Sequence, residues 1–379
     1  MPSLKIDTAT LMDAASYLVS TASERHSLPV LSMFMISIKG NSARFISSST
    51  EREVTFTCEV DPNDCQDGTL VVPGKKLHDL VKNAPKESVA TLKEDKDNAY
   101  SLRFSGLNSR YTLRGVAPEG FPTYPLDQDK IKVITVDAVQ LDEGLSSVIN
   151  AAAERDVRYY LNGIAFRYSK DTLNLTATDG HRLSQFMLNV EGGDENPTEP
   201  FTRILPRKAI RPLKDLLKGA KGMVKFVLTD RHFAIKVGER SLKTNLVDGQ
   251  FPDVNRVIPA LSTAPYLVDR KDLISVANRL SILANEKFRG AEIIVKEGET
   301  VMSMTSANPE NEEAMEQVPL KESAKEGLVL GINIDYLRVA LDSIKEDVVV
   351  IHFVDSSAAI RVNGKGSPSH LHVIMPMRI

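Results

Sequence analysis

The sequence has little of what marks a secreted, membrane-bound or disulfide-stabilised protein. Its 379 residues include only two cysteines, Cys58 and Cys65, at a spacing that fits no metal motif, so we expect reduced thiols. No apolar run reaches the roughly 18 residues that a bilayer span requires. The first residues show no basic segment followed by an apolar one, so we expect no signal peptide. Together these absences predict a cytoplasmic protein without a membrane partner.

Motifs of catalysis are also missing. The sequence contains no phosphate-binding loop of the G-x-x-x-x-G-K-S/T type, no dinucleotide-binding G-x-G-x-x-G after a strand, and no G-x-S-x-G elbow. One local cluster, residues 178–183, places Asp179 and His181 two positions apart, which could indicate a metal or acid–base pair. Asp-Gly at a strand end more often reverses the chain, so a turn is the favoured interpretation. We therefore expect no catalytic residue, no metal and no cofactor.

What the sequence does contain is one pattern repeated three times at intervals of about 130 residues. Helix-period segments begin the repeats at 7–20, 137–153 and 269–284, and second helices follow at 74–83, 207–219 and 333–345. The first two repeats close on Phe121-Pro122 and Phe251-Pro252, and the third closes on Met375-Pro376. A threefold repeat favours a symmetric object over a single catalytic pocket. The predicted domains are 1–126, 127–258 and 259–379.

Each repeat also carries alternating apolar and polar segments that predict hairpins. The turns fall at Gly40-Asn41, Lys170-Asp171 and Gly298-Glu299. No strand–helix–strand crossover of the parallel kind recurs. The predicted fold class is α+β, with two helices packed on antiparallel sheets in each domain.

Positive charge is concentrated on the second helices. They hold ten Lys or Arg residues against four Asp, a net charge of +6, whereas the whole chain carries −3, so the remainder carries −9. In the helix 207–219, Arg207, Arg211, Lys214 and Lys218 fall on one face. A single basic stripe is usually a solvated face, but a repeated one suits a regular polyanion, bound through phosphates without sequence preference.

Two further segments allow alternative interpretations. Arg155 and Arg158 precede Tyr159 and Tyr160, a basic–aromatic mixture that can contact sugar and phosphate, or equally two strand tyrosines half in the core. The apolar end of the sequence, residues 372–379, predicts either a buried strand or the rim of a groove for a partner.

Longer motifs resemble one family along nearly the whole chain. The segments RDVRYYLNG (155–163), TDGHRL (178–183), LVDGQFPD (246–253), LANEKFRG (283–290), ANPENEEA (307–314) and VIMPMRI (373–379) resemble the bacterial sliding clamp, the β subunit of the replicative DNA polymerase. The resemblance implies a fold of three clamp domains and a head-to-tail homodimer that forms a six-domain ring. It also implies a processivity factor without an active site, which encircles double-stranded DNA in the nucleoid.

The resemblance further implies partners that dock a short peptide into an apolar groove. These are the replicative polymerase subunit, the clamp-loader ATPase, and other proteins such as repair polymerases, ligase and mismatch-repair factors. The implied groove residues are Leu161, Thr178, Gly180, His181, Arg182, Leu183, Pro252, Arg256, Val257, Asn333, Tyr336, Val373, Met375, Pro376, Met377 and Arg378.

Contacts to DNA and between subunits are implied in the same way. The resemblance gives Arg25, Arg158, Tyr159, Tyr160, Arg207 and Lys208 for DNA, to which charge and helix phase add Lys75, Lys76, Arg155, Arg211, Lys214 and Lys218. For the dimer interface it gives Tyr111 on one protomer against Ile282 and Leu283 on the other, with Glu312 and Glu316 nearby.

The sequence departs from the family pattern at a few positions. Arg155 replaces a common glutamine, Val254-Asn255 replaces a more aromatic and basic pair, and Ala359 replaces a groove serine. Two alternatives therefore stay open. One is a metal-dependent nuclease that uses Asp179 and His181, and the other is a specialised clamp-like paralogue with different partners.

Overall fold

The computed structural model describes residues 1–24, 28–95, 98–122, 131–191 and 199–378. The predicted boundary between residues 126 and 127, the predicted DNA contact Arg25 and the final residue 379 lie outside these ranges. Helices within them are α1 Thr8–Ala22, α2 Gly74–Lys82, α3 Ala138–Val148, α4 Arg207–Leu217, α5 Arg270–Leu283 and α6 Ile334–Ser343. Short 3-10 turns cover Pro29–Ser32, Pro118–Gly120, Ile149–Ala151, Tyr159–Leu161 and Val254–Arg256.

The strands follow the same threefold pattern. In the first repeat they are β1 Ser3–Asp7, β2 Met33–Lys39, β3 Ser42–Ser48, β4 Arg52–Glu59, β5 Gly68–Pro73, β6 Val89–Glu94, β7 Ala99–Phe104 and β8 Tyr111–Arg114. In the second they are β9 Lys132–Asp137, β10 Gly163–Ser169, β11 Thr172–Thr178, β12 Arg182–Asn189, β13 Phe201–Pro206, β14 Met223–Leu228, β15 His232–Val237 and β16 Arg240–Asn245. In the third they are β17 Tyr266–Asp269, β18 Gly290–Val295, β19 Val301–Ala307, β20 Glu313–Pro319, β21 Leu328–Asn333, β22 Val348–His352, β23 Ile360–Gly364 and β24 His370–Ile374.

An aspartate begins the first helix of each repeat. Asp7 accepts a hydrogen bond from the Thr10 amide (3.0 Å), and Asp137 and Asp269 do the same for amides two residues ahead. These carboxylates satisfy amide groups that have no partner inside the helix, which fixes the helix start. The recurrence of one cap in the sequence therefore becomes a recurrence of one local structure.

All three predicted hairpins are confirmed. Strand β2 pairs with β3, β10 with β11 and β18 with β19, each antiparallel. Gly40, Lys170 and Gly298 sit at the turns with positive φ values of 56°, 50° and 81°. Every strand pairing among the described residues is antiparallel, and the predicted α+β class is confirmed.

The sheets join successive repeats, which the sequence pattern did not predict. The chain forms two compact units, and each contains one four-stranded and one eight-stranded sheet. The eight-stranded sheet of the first unit has the order β5-β2-β3-β4-β16-β15-β14-β9, and that of the second has β13-β10-β11-β12-β24-β23-β22-β17. We call the β4–β16 pairing the first seam and the β12–β24 pairing the second seam.

The two seams occupy equivalent positions in their sheets. In the first, the Asn245 amide donates to the carbonyl of Glu51 (2.8 Å), and in the second the Met375 amide donates to that of His181 (3.0 Å). Position by position, the pair Lys243–Glu53 therefore corresponds to Val373–Leu183, and the pair Leu242–Val54 corresponds to His372–Ser184. Differences between the seams thus reflect residue choice on a common backbone.

Helix α4 contains Pro212, which cannot donate to the carbonyl of Lys208 one turn earlier. That carbonyl instead accepts a hydrogen bond from the guanidinium of Arg52 (3.1 Å). Arg52 is buried and also bonds the hydroxyl of Thr21 (3.3 Å) and the carboxylate of Glu24. The proline thus leaves an acceptor that ties the helix to the edge of the first seam.

Candidate functional site

The turn after β11 shapes one wall of a cavity in the second unit. Asp179 accepts hydrogen bonds from the amides of His181 (2.9 Å) and Arg182 (3.0 Å), and Gly180 has a φ of 93°. The other carboxylate oxygen of Asp179 accepts a hydrogen bond from Arg182 Nε (3.0 Å). The Arg182 guanidinium lies over the Tyr336 ring, 4.4 Å from the ring centre. The predicted turn is confirmed, and the Asp179 carboxylate holds it in shape.

Arg158 lies against the same turn. Its guanidinium donates twice to Asp156, at 3.0 and 2.8 Å, and once to the carbonyl of Asp179 at 3.1 Å. These bonds from Arg158 hold the pKa of Asp156 at about 2. The arginine is therefore oriented before any ligand arrives, with its side chain beside the cavity.

The floor of the cavity is apolar. Leu183 and Val373 face each other across the second seam and pack with Val254, Ala359 and Leu371 in one small buried cluster. Val254 comes from the 3-10 turn that begins where Asp253 accepts the Asn255 amide (3.2 Å). The cavity above this floor has a volume of about 230 Å³.

The structure brings together only part of the predicted groove. The predicted residues that line the cavity are Leu161, Thr178, Gly180, Arg182, Leu183, Pro252, Val257, Val373 and Met375. The others lie beyond its lining among the described residues: His181, Arg256, Asn333, Tyr336, Pro376, Met377 and Arg378.

Four further lining residues were assigned elsewhere or missed. Arg158 and Tyr160 were predicted to contact DNA, and Asp253 and Val254 were not predicted as site residues. The sequence offered one indication of the floor, the apolar residue at 254 directly after Phe-Pro-Asp. This indication could not be interpreted without knowing that the junction between the second and third repeats packs on the second seam.

At the equivalent place in the first seam there is an ion pair instead of an apolar floor. Glu53 is buried, and its carboxylate lies 3.3 Å from Lys243 Nζ and 3.4 Å from Arg44 Nη2. The apolar pair Leu183–Val373 at the second seam thus distinguishes it from its counterpart. The first seam thus presents charge at this position, whereas the second presents an apolar floor.

Several predicted DNA contacts are exposed cations. Lys75 and Lys76 lie in the first turn of α2 and are exposed to solvent. Arg211 on α4 and Lys218, just beyond the end of α4, are also exposed. Lys208 is exposed with Nζ 3.4 Å from a Glu51 carboxylate oxygen, Lys214 is half-buried, and Arg155 is exposed with a φ of 59°.

Arg207 differs from the rest of that stripe. Its Nη1 donates to the carbonyls of Ile149 (2.7 Å) and Ala152 (3.1 Å), and the side chain is partly buried. The residue therefore closes the end of α3 and its following 3-10 turn, in the way that cations complement helix C-termini.

Tyr159 and Tyr160 do not lie in a strand, so the alternative of two strand tyrosines is wrong. They begin the 3-10 turn Tyr159–Leu161, and their rings meet edge to face with centres 5.9 Å apart. Tyr159 is 57% exposed, whereas Tyr160 is half-buried and lines the cavity.

The expectation of a basic stripe on all three second helices is corrected for the third. Arg338 lies 3.4 Å from Asp335 on its own helix, and Lys345, which follows the end of α6, lies 2.8 Å from Glu143. Because each cation faces an acid, α6 carries less uncompensated charge than α2 and α4.

The predicted interface residues lie on or beside the edge strands β8 and β20 and at the end of helix α5. Tyr111 begins β8, an edge strand, and its ring meets Phe104 edge to face with centres 6.1 Å apart. Ile282 on α5 is 76% exposed and Leu283 is half-buried. Glu312 accepts from the Asn308 side chain (2.7 Å), and Glu316 on edge strand β20 accepts from Arg279 Nε (2.7 Å).

Within the described part of the chain, no group of three or more His, Cys, Asp or Glu side chains is placed to hold a metal. Cys58 and Cys65 are free and buried, and none of the helices there is long and apolar enough to cross a membrane.

A repeated α+β scaffold with an apolar cavity over one seam is what defines the class of this protein: a binding protein.

Comparisons with known proteins place the chain in a family. Its residues 3–125, 135–253 and 255–378 match the N-terminal, central and C-terminal domains of the DNA polymerase III beta subunit. The beta sliding clamp of Pseudomonas aeruginosa is 30% identical over 375 residues, covering 99% of both chains. A crystal structure of the DNA polymerase sliding clamp from that organism has a TM-score of 0.93 at 29% identity and full coverage of both chains. Another, of the P. aeruginosa clamp bound to griselimycin, has a TM-score of 0.92 at 29% identity, again with full coverage.

The chain therefore belongs to the DNA polymerase III beta subunit family, the bacterial sliding clamps, which are non-catalytic processivity factors of DNA replication. This membership agrees with the threefold repeat and with the absence of catalytic motifs from the sequence.

Proposed function

We propose that two copies of this chain join head to tail into a six-domain ring around double-stranded DNA. The ring slides without sequence preference and tethers the replicative polymerase subunit through the cavity over the second seam. Its domains span 1–126, 127–258 and 259–379, and it works in the cytoplasm at the nucleoid. The apolar cavity carries the tethering part of this proposal, and the family membership supports the ring.

Complementary sheet edges support the head-to-tail contact. Beside β8 lie the cations Arg103 and Arg110, the second with Nη2 2.6 Å from an Asp95 carboxylate oxygen, next to a cavity of about 500 Å³. Beside β20 lie Glu312 and a short acidic run, with Ile282 and Met315 largely exposed. An edge strand presents unpaired backbone groups, so β8 of one copy can pair with β20 of another.

Exposed cations support non-specific DNA binding. The proposed phosphate contacts are Lys75, Lys76, Arg155, Lys208, Arg211, Lys214 and Lys218, with Arg25 and Tyr159 implied by the family. Lys and Arg contacts to phosphate release counterions, carry affinity and read no bases. Arg158, Tyr160 and Arg207 already have structural partners or line the cavity. We therefore propose that they contribute less to DNA binding than the exposed cations do.

The cavity suits a peptide anchor better than a whole small molecule. Its volume of about 230 Å³ lies below the roughly 300 Å³ at which ligand pockets begin. An extended peptide that places one or two apolar side chains here, and its backbone along the rim, fits this size. His181, Arg256, Asn333, Tyr336, Pro376, Met377 and Arg378 are proposed to extend the surface beyond the cavity.

Through this groove we propose binding of the clamp-loader ATPase, repair polymerases, ligase and mismatch-repair proteins as well as the polymerase. Griselimycin, which is bound in the structure of the P. aeruginosa relative, is proposed to occupy the same groove here. It serves as a defined probe when no natural partner has been purified.

The direct test of the ring is loading onto nicked circular DNA, followed by linearisation with a restriction enzyme. A ring slides off the ends, so the protein should leave linear DNA and stay on uncut circles. Linear DNA with both ends blocked by bound streptavidin should retain it. Retention on linear DNA with free ends would contradict topological binding.

The nuclease alternative makes an opposite prediction for His181→Ala. A metal-dependent enzyme would lose DNA cleavage in this variant, whereas a groove role weakens griselimycin binding and involves no cleavage. Cleavage of DNA by the wild-type protein with Mg²⁺ or Mn²⁺, lost in the variant, would support the enzyme.

A further inference from the structure

Two histidines face each other behind the floor of the cavity. His370 and His372 are two positions apart on β24, so their side chains share one face of the sheet. Both are buried, and their Nε2 atoms are 3.0 Å apart. The neighbouring Leu371 and Val373 point to the opposite face, where the cavity lies.

The surrounding hydrogen bonds place a hydrogen on His372 Nε2 and leave the facing His370 Nε2 without one. Ser343 Oγ donates a hydrogen bond to the carbonyl of Ala340 (2.8 Å). The same oxygen lies 2.8 Å from His372 Nε2. With its only proton used, the hydroxyl is an acceptor, so His372 Nε2 carries a hydrogen. His372 Nδ1 then accepts from Ser184 Oγ across the second seam, at 2.8 Å. A hydrogen on His370 Nε2 as well would point two N–H groups at each other.

Burial and charged groups on the adjoining elements shift the pKa values of both histidines. Burial holds the pKa of His372 well below its usual range, and His370 and Arg182 of β12 lower it further. Burial also lowers the pKa of His370; Lys345 after α6 adds to this, while Glu346 and Glu143 of α3 oppose it. The aromatic ring of Phe186 covers His370, with ring centres 5.2 Å apart. Arg361 of the adjoining β23 stands opposite Val373, on the other face.

The first seam has no titratable pair at the corresponding positions. Leu242 and Val54 stand where His372 and Ser184 stand in the second, and Arg240 and Phe56 stand where His370 and Phe186 stand. None of these residues changes charge near neutral pH. One chain thus contains two equivalent strand pairings, one with a histidine pair and one without.

We propose that the His370–His372 pair makes the second seam a pH-sensitive joint, in which β12 and β24 separate more readily as the pH falls below about 6.5. In the closed pair only one of the two facing Nε2 atoms can carry a hydrogen, whereas after separation His370 can bind one further proton at Nε2. Stability from the pair is therefore fully present above about pH 6.5 and is lost progressively below it. This inference concerns the joint alone and does not rest on the proposed function of the groove.

Hydrogen exchange of the full chain tests the proposal, because the first seam serves as an internal control. Exchange rates of the β12 and β24 amides, corrected for intrinsic pH dependence, should give an opening constant that rises about tenfold between pH 7.5 and 5.5 for one proton taken up. The β4 and β16 amides should show a much smaller rise. Equal rises at the two seams would overturn the proposal.

Glutamine variants identify the groups responsible. His372→Gln keeps hydrogen-bonding ability without titration and should flatten the pH dependence at the second seam. His370→Gln provides the same test should the first variant fold poorly. His78→Gln on α2, in the first unit, is the matched control and should leave the tenfold rise unchanged. A rise that persists in both His370→Gln and His372→Gln would also overturn the proposal.

Discussion

A change of two side chains separates the second seam from the first. Leu183 and Val373 form an apolar floor where Glu53 and Lys243 form an ion pair on the same backbone positions. An apolar floor favours desolvation of an apolar ligand, whereas a buried carboxylate would have to keep its own partners. At the residue scale, therefore, the site depends on which pair of residues occupies one register position.

Val257 allows a clean test of the groove, because it lines the cavity and is 49% exposed. Val257→Asp should weaken griselimycin binding at least tenfold, since burial of a valine side chain contributes about 1.5–3 kcal/mol and the carboxylate must be desolvated. Isothermal titration calorimetry measures this. Val354→Asp is the matched control, at 58% exposure outside the cavity lining. Equal losses in both variants would contradict the groove assignment.

Strand pairings are the elements that join one repeat to the next. Each seam adds the strands of a later repeat to the sheet of an earlier one. In the first seam, the buried Glu53 carboxylate sits between Arg44 and Lys243, so the pairing depends on charge as well as backbone hydrogen bonds. Removing one partner of such a pair leaves the others desolvated without compensation.

Glu53→Leu should accordingly destabilise the protein by about 2 kcal/mol. This is less than the roughly 3–5 kcal/mol of a fully buried pair, because Lys243 and Arg44 retain access to water. Glu53→Leu combined with Lys243→Val copies the second seam and should recover part of the loss. Urea unfolding, followed by a signal from the first unit, measures the stability of the single and the double variant. A double variant less stable than the single one would show that the ion pair is not the source of the cost.

At the scale of the whole molecule, charge and exposed apolar residues lie at defined places on each unit. Cations gather on α2 and α4 and beside β8, while acids and exposed aliphatic residues gather beside β20 and on α5. The third repeat contributes less free positive charge, because Arg338 and Lys345 face acids. A ring of two copies would thus have four strongly cationic helices rather than six.

Ile282→Ala with Leu283→Ala should convert the proposed dimer to monomer. Loss of two aliphatic side chains from an interface costs about 3–6 kcal/mol, which raises the dissociation constant by at least a hundredfold. Sedimentation velocity at micromolar concentration reads the change. Val329→Ala, at another exposed aliphatic position on β21 (53%), should stay dimeric. A monomeric wild-type protein would rule out the ring.

Lys75→Glu with Lys76→Glu should weaken the direct binding of the protein to duplex DNA and make it less sensitive to salt. Each phosphate contact removed lowers the slope of log affinity against log salt by about 0.9. Fluorescence anisotropy with duplex DNA across a salt series measures the slope. Lys365→Glu, an exposed lysine at the β23–β24 turn, is the control and should leave it unchanged.

Much of the fold could be predicted because its signals are local. The first helices of the three repeats and the three hairpins depend on residues within a few positions of one another, and each was found where the periodicity placed it. The seams could not be predicted this way. Pairing β4 with β16 joins residues about 190 positions apart, and no local periodicity records such a contact.

The sequence by itself determined three repeats, their helix starts, the concentration of positive charge, the lack of catalytic motifs and, through long motifs, the family. Only the tertiary structure decided what each charged or apolar side chain faces. It paired Arg207 with carbonyls, placed Arg158 and Val254 at the cavity, and brought His370 and His372 within hydrogen-bonding distance. The physical reason is that composition and periodicity fix the tendency of a segment, whereas burial and partners arise only when distant strands share one sheet.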